Sequence, residues 1–145
     1  MSMKIACLGG GPAGLYFAIS MKLRDASHDI TVIERNRADD TFGWGVVLSD
    51  ETLANLKNND PVSAEAIQKF FAYWDDIALV HRGERLVSSG HGFCGIGRRK
   101  LLELLQERAV ALGVKLEFEK EIDDIEALCD LSLIHISEPT RQKPI

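Results

Sequence analysis

A hexapeptide near the N terminus, Gly9-Gly10-Gly11-Pro12-Ala13-Gly14, governs what this chain can fold into. Gly9, Gly11 and Gly14 stand at the spacing G-x-G-x-x-G between an apolar run, Met3 to Leu8, and a breaker-free stretch, Leu15 to Arg24, whose positions 15, 19 and 23 share a helical face. The short, nearly continuous apolar run suits a strand buried on both sides of a parallel sheet. Ile30 to Glu34 returns as a β-branched strand, so residues 3–34 form a strand, crossover helix and strand. In such a unit Gly9 allows the tight turn, Gly11 lets a pyrophosphate approach bare main chain, and Gly14 lets helix and strand pack closely. The helix N terminus, with Pro12 and Ala13 in its first turn, offers N–H groups and partial positive charge to the phosphates. Glu34, 20 residues beyond Gly14, is placed to accept from ribose hydroxyls. A carboxylate there repels a 2′-phosphate, which leaves NAD or the ADP half of FAD. The alternative is a glycine-rich turn with a surface glutamate and no ligand.

Downstream, Asp40 to Val47 reads as a glycine-punctuated loop. Ser49 is placed to cap a helix with Asp50 and Glu51 in its first turn. Pro61 opens another helix through about Tyr73, expected to bury Ile67, Phe70 and Phe71, with Phe70, Phe71 and Trp74 in the core. Residues 77–81 and 85–88 flank a turn containing Gly83 and read as a hairpin outside the parallel sheet. Arg98 to Leu112 is an amphipathic helix stopped by Gly113, and Val114 to Phe118 a strand.

The 145 residues are 46% hydrophobic and 27% charged, the composition of a globular protein with one domain's worth of core. A net charge of −5 is the wrong sign for gripping a nucleic acid backbone. No apolar run approaches the ~18 residues of a spanning helix, so no membrane partner is expected and the location reads as cytoplasmic. Cys7, Cys94 and Cys129 are widely spaced, without a CxxC pair, and read as free buried thiols rather than metal ligands.

The C-terminal stretch Leu131 to Arg141 resembles, letter for letter, a translated transposase-type sequencing adaptor. On that reading residues 1–130 are the N-terminal part of a longer protein and 131–145 carry no evolved information. Setting the tail aside removes Arg141, Lys143 and Glu138, taking 17 basic and 22 acidic residues to 15 and 21.

The run Thr41-Phe-Gly-Trp-Gly-Val-Val-Leu-Ser49 and the pattern Arg98-x-x-Leu101-x-x-x-Leu105-x-x-x-Ala109, following the glycine fingerprint, resemble the FAD-dependent aromatic hydroxylases of the p-hydroxybenzoate hydroxylase type. Within them the likeness is greatest to the salicylyl-CoA 5-hydroxylase and anthraniloyl-CoA monooxygenase group. The resemblance covers residues 3–130. It implies an α/β fold, a truncated Rossmann-like FAD-binding domain of parallel strands and crossover helices, plus the start of a substrate-side β-hairpin. It also implies FAD as cofactor, NADH or NADPH and O2 as co-substrates, and an activated aromatic or aryl-CoA substrate.

In such a family Arg98 contacts the flavin's diphosphate and ribitol side, and a guanidinium fork suits that recognition; the alternative is a solvated Arg98-Arg99 pair. Trp44, between two glycines, lies along the flavin ring, or else is a core aromatic anchoring its loop. Arg35 lies near the adenosine or is solvated. Arg82 and Arg85 are either solvated or attract an acyl-CoA's phosphates. The family's second flavin motif, an Asp-Gly segment, is missing, and no catalytic residue is visible. Cutting the chain near Asp130 is expected to leave the first strand with an open apolar edge and the chain marginally stable or aggregating, with weak or no flavin binding; residues 131–136, apolar and partly β-branched, are expected to lie in the vacant strand position. The competing functions are a flavin-dependent reductase of the prenyl reductase type and a flavin-free binding module like the Rab GDP-dissociation inhibitors.

Overall fold

A computed structural model describes residues 2–123 and the backbone of Ser132–Leu133. These form two compact units, one built from the residues up to Asp40 together with those from Leu105 on, the other from Thr41–Leu104.

The first unit is a parallel sheet. Strand β1 (Lys4–Leu8) pairs with β2 (Asp29–Ile33) in the register Lys4↔Asp29 through Leu8↔Ile33. Helix α1 (Pro12–Arg24) makes the crossover between them, and β8 (Lys115–Glu117) extends the sheet beyond β2. Its apolar core is Ile5, Ala6 and Cys7 of β1, Leu15, Ala18 and Ile19 of α1, and Ile30, Val32 and Ile33 of β2, all buried. The i, i+3, i+4 spacing of 15, 18 and 19 lays one stripe of α1 inward, while the unbroken burial of residues 5–7 is what a strand covered on both faces requires. Strand β9 (Ser132–Leu133) runs parallel to β1 on its other side, pairing Ile5↔Ser132 and Ala6↔Leu133. The sheet order is thus β8-β2-β1-β9, with β1 central. The expectation that residues 131–136 occupy this position holds at 132 and 133. The boundary at Asp130, Cys129 and the rest of the tail lie outside the described residues.

The second unit corrects two expectations. The glycine-punctuated loop ends in a strand, β3 (Gly45–Leu48), which pairs antiparallel with β7 (Phe93–Gly97). The helix opened by Pro61, α3 (Pro61–Gln68), stops at Gln68, and Ala72–Trp74 is a short strand, β4, on the other side of β7. Ile67 is buried as expected, whereas Phe70 is 51% and Trp74 40% exposed, and Phe71 is half-buried. The period of 3.6 misled here because Ala72-Tyr73-Trp74 gain more from pairing with a strand twenty residues away than from one further helical turn. Phe70 instead carries the Lys100 ammonium 4.6 Å above its ring.

Helix α2 (Asp50–Asn59) starts at Ser49, whose Oγ accepts the Thr52 N–H at 3.3 Å. The hairpin β5 (Ile77–His81) and β6 (Glu84–Ser88) forms its own two-stranded sheet, closed by Arg82 and Gly83 at φ 50° and 83°. Positive φ at both turn residues is the type I′ arrangement that matches strand twist. Helix α4 (Arg98–Ala111) ends before Gly113, whose φ is 83°. No helix among the described residues is long and apolar enough to cross a membrane.

Burial in β1 pushes the Cys7 thiol up to about 11 from its ordinary 9.0. The folded chain therefore holds this proton to higher pH than the unfolded chain does. The resulting stability is full below pH 9.0 and is lost as pH rises towards 11, by about 2 kcal/mol. Urea unfolding of the wild-type chain and Cys7→Ala at pH 8 to 11 should show their stability difference falling over that window; a constant difference would contradict the assignment.

Candidate functional site

In the first unit the turn between β1 and α1 is shaped by what its glycines lack. Gly9 has φ 109°, a conformation L side chains rarely adopt, and its N–H donates to Ile33 O at 2.8 Å, tying the turn to the end of β2. A Cβ on Gly14 would stand 2.1 Å from the Gly9 carbonyl oxygen, so α1 can begin this close to β1 only without one. Gly11 differs: its backbone is extended, at φ −72° and ψ 177°, and a Cβ there would meet nothing within 4 Å. It is open space beside the start of α1.

No side chain caps that helix start. Pro12 has no N–H, the first intrahelical bond runs from Leu15 N–H to Gly11 O at 3.0 Å, and the first-turn N–H groups of Ala13 and Gly14 precede it. Orphan donors and the positive end of the helix dipole thus face the same region as the open side of Gly11.

Glu34 follows the last paired residue of β2. Its Oε2 accepts the Gly10 N–H at 2.7 Å, and its Oε1 accepts both the Asn36 N–H at 2.9 Å and Asn36 Nδ2 at 2.6 Å. Gly10 is constrained by the same side chain, since a Cβ there would lie 2.9 Å from Glu34 Cβ. Gly10 and Asn36 were both missed by the sequence reading. The middle glycine of three in a row, at a position where the fingerprint tolerates any residue, was the available signal for Gly10; Asn36 had none. Arg35 is exposed and lies 3.9 Å from Glu121 Oε1.

The second unit holds the other two expected residues. Trp44 is 100% exposed, which removes the reading of it as a core anchor. Its carbonyl accepts the Arg98 N–H at 3.2 Å, so the loop carrying the indole terminates the backbone of α4. Gly43 before it has φ 103°, and a Cβ there would lie 3.8 Å from Arg98 Cδ. Arg98 Nε is buried without a hydrogen-bond partner, and so is Thr41 Oγ1. A buried orphan donor costs about 1–3 kcal/mol, which makes these two atoms the unexplained polar groups of this unit. Arg99, by contrast, is exposed and paired with Glu103 at 3.2 Å. Arg82 and Arg85, on the hairpin, are exposed.

No family model matches the chain. It is 46% identical over 94% of its length to a salicyloyl-CoA 5-hydroxylase from a Streptomyces species, of which it covers 26%. It is 34% identical over 83% of its length to protodeoxyviolaceinate monooxygenase from Chromobacterium violaceum, of which it covers 32%. Among solved structures, 2-methyl-3-hydroxypyridine-5-carboxylic acid oxygenase matches with a TM-score of 0.72 at 22% identity, over 83% of this chain and 32% of that one. The protein CtdE, in complex with FAD and a substrate, matches with a TM-score of 0.69 at 16% identity, over 84% of this chain and 31% of that one. The chain is thus similar in sequence to a salicyloyl-CoA 5-hydroxylase and to other monooxygenases, and it shares the α/β fold of the oxygenase and of CtdE. The chain spans about a quarter to a third of the length of the curated relatives it matches.

The 2.1 Å approach at Gly14 is to main chain, which cannot rotate away. Gly14→Ala should lower stability by about 3 kcal/mol, read as a shift of the urea midpoint. An unchanged midpoint would show that α1 has freedom to slide on β1.

Proposed function

We propose that this chain is the FAD-binding portion of a flavoprotein monooxygenase that uses NAD(P)H and O2 to hydroxylate an activated aromatic ring, carried as an aryl-CoA such as salicylyl-CoA or 2-aminobenzoyl-CoA. The observation that carries the reading is the open side of Gly11 at the uncapped start of α1, with a carboxylate held beside the same turn. The residues fit the cofactor. Gly9, Gly11, Pro12, Ala13 and Gly14 supply bare main chain and unpaired N–H groups for the diphosphate, and Glu34 an acceptor for the adenosine ribose. The orphaned Arg98 Nε suits a further phosphate or ribitol oxygen, and the exposed Trp44 indole a planar ring. Arg35, exposed beside Glu34, is assigned to the adenosine side.

FAD, when bound, would supply the redox chemistry between NAD(P)H and O2. The protein's part is binding, orientation and exclusion of water, which agrees with a site built of glycines, N–H groups and one guanidinium rather than of nucleophiles. The names of the relatives support an aromatic substrate, and that of the Streptomyces enzyme supports a CoA thioester.

The test is titration of the 145-residue chain with FAD, followed by quenching of flavin and tryptophan emission. Wild type should saturate, at low affinity. Gly11→Val, whose side chain enters open space, should keep the wild-type urea midpoint within about 0.5 kcal/mol and lose saturable binding. Undiminished binding by that variant would overturn the assignment of the turn to the diphosphate.

A further inference from the structure

We propose that Asn36 is a positioning residue that fixes the number of hydrogen bonds Glu34 can accept from a nucleotide, leaving its carboxylate one free acceptor position, for a single ribose hydroxyl. The inference rests on the dinucleotide reading of the turn and concerns how that ligand is read.

A carboxylate has about four lone-pair positions, two on each oxygen. Asn36 fills both on Oε1, with its N–H at 2.9 Å and Nδ2 at 2.6 Å. Gly10 fills one on Oε2, at 2.7 Å. The orientation of the Asn36 amide follows from chemistry: turned over, its Oδ1 would oppose Oε1 at that separation, two acceptors with no proton between them.

Neither partner is free to withdraw. The Asn36 carbonyl accepts the Glu119 N–H at 3.1 Å, and the Glu34 carbonyl accepts the Lys120 N–H at 3.0 Å, so the main chain on both sides of Arg35 is pinned to the segment after β8. Glu119 takes a left-handed φ of 57° there. On the other side, Gly10 lies against the stem of Glu34, close enough that a Cβ would come within 2.9 Å.

A ribose presents two vicinal hydroxyls, 2′ and 3′. With one acceptor position open, one hydroxyl bonds to Glu34 and the other is left to water. Remove the Asn36 amide and Oε1 regains a position, so that both hydroxyls can be accepted. Asn36 thereby sets the ribose selectivity without touching the ligand.

The experiment is calorimetric titration of the 145-residue chain with ADP, 2′-deoxy-ADP and 3′-deoxy-ADP. In wild type one deoxy analogue should bind about tenfold more weakly than ADP and the other within about twofold of it. In Asn36→Ala the two analogues should lose affinity about equally. Asn36→Asp keeps the shape but replaces the donor with a second carboxylate; ADP should bind it about tenfold more weakly, with dependence on both hydroxyls reduced. Circular dichroism of each variant establishes that it is folded, and hydroxyl selectivity is a readout that a loss of stability alone does not move. Equal losses for the two analogues in wild type would overturn the proposal, as would an unaltered one-hydroxyl pattern in folded Asn36→Ala. Failure of the folded wild-type chain to bind ADP at all would instead overturn the dinucleotide reading, and the inference with it.

Discussion

Main chain pressed against main chain is the constraint on which the first unit depends. The start of α1 meets the Gly9 carbonyl so closely that a side chain at Gly14 has no place to go, and the Gly9 N–H is bonded to Ile33 O across the end of the sheet. Three chain segments, the end of β1, the start of α1 and the end of β2, are therefore brought together by residues without side chains or with extended backbone. The consequences run outward. Helix α1 lies where Leu15, Ala18 and Ile19 reach the apolar residues of β1 and β2. The register Leu8↔Ile33 sets Glu34 one residue past the last pair, level with the turn, where its carboxylate reaches Gly10. Packing at Gly14 and polar chemistry at Glu34 are thus two results of one approach.

That approach also answers an electrostatic difficulty. A chain of net charge −5 does not attract an anion by its overall field, and Glu34 adds a negative charge beside the turn. Recognition on the proposed reading is short-ranged instead. Unpaired N–H groups of the α1 start act over a few ångströms, where their partial charges outweigh a diffuse field screened at a Debye length of about 8 Å. Glu34 is disarmed as a repulsive group by three N–H donors, the main-chain N–H groups of Gly10 and Asn36 and the Asn36 side-chain amide.

The parts of the fold that were legible in the sequence are those whose signals are local. The β1-α1-β2 unit announces itself by an apolar run, a glycine turn and a helical stripe within thirty-odd residues. The hairpin is marked by Gly83, and α4 by its leucine spacing. The sheet β3-β7-β4 was not legible, for a physical reason: it is stitched by antiparallel pairs between segments far apart in sequence, such as Leu48↔Cys94 and Tyr73↔Cys94. Its strands also contain Gly45, Gly95 and Gly97, which punctuate a sequence as loops do. The indole of Trp74 crosses the bare Gly95, 3.0 Å from where its Cβ would be, so a glycine that reads as a breaker serves as the seat of an aromatic ring. In the site, Gly9, Gly11, Gly14 and Glu34 were readable because the fingerprint fixes their spacing. Gly10 and Asn36 were not, because their roles are defined by the carboxylate between them and not by any period of the chain.

The second unit shows what stability alone leaves unaccounted for. An indole wholly in water buries nothing, and a guanidinium nitrogen buried without a partner is unfavourable, so Trp44 and Arg98 Nε do not serve the folding of the unit that contains them. Both belong to one short arrangement, in which the Trp44 carbonyl accepts the first N–H of α4 and Gly43 takes a left-handed turn beside the Arg98 side chain. One backbone hydrogen bond is made there, while Arg98 Nε has no partner. On the proposed reading, this loop offers an aromatic face and a cationic fork to a ligand that is planar at one end and anionic at the other. A flavin nucleotide has that combination of a flat apolar ring and a charged diphosphate, whereas a ligand with only one of the two would leave either the indole or the guanidinium without a purpose.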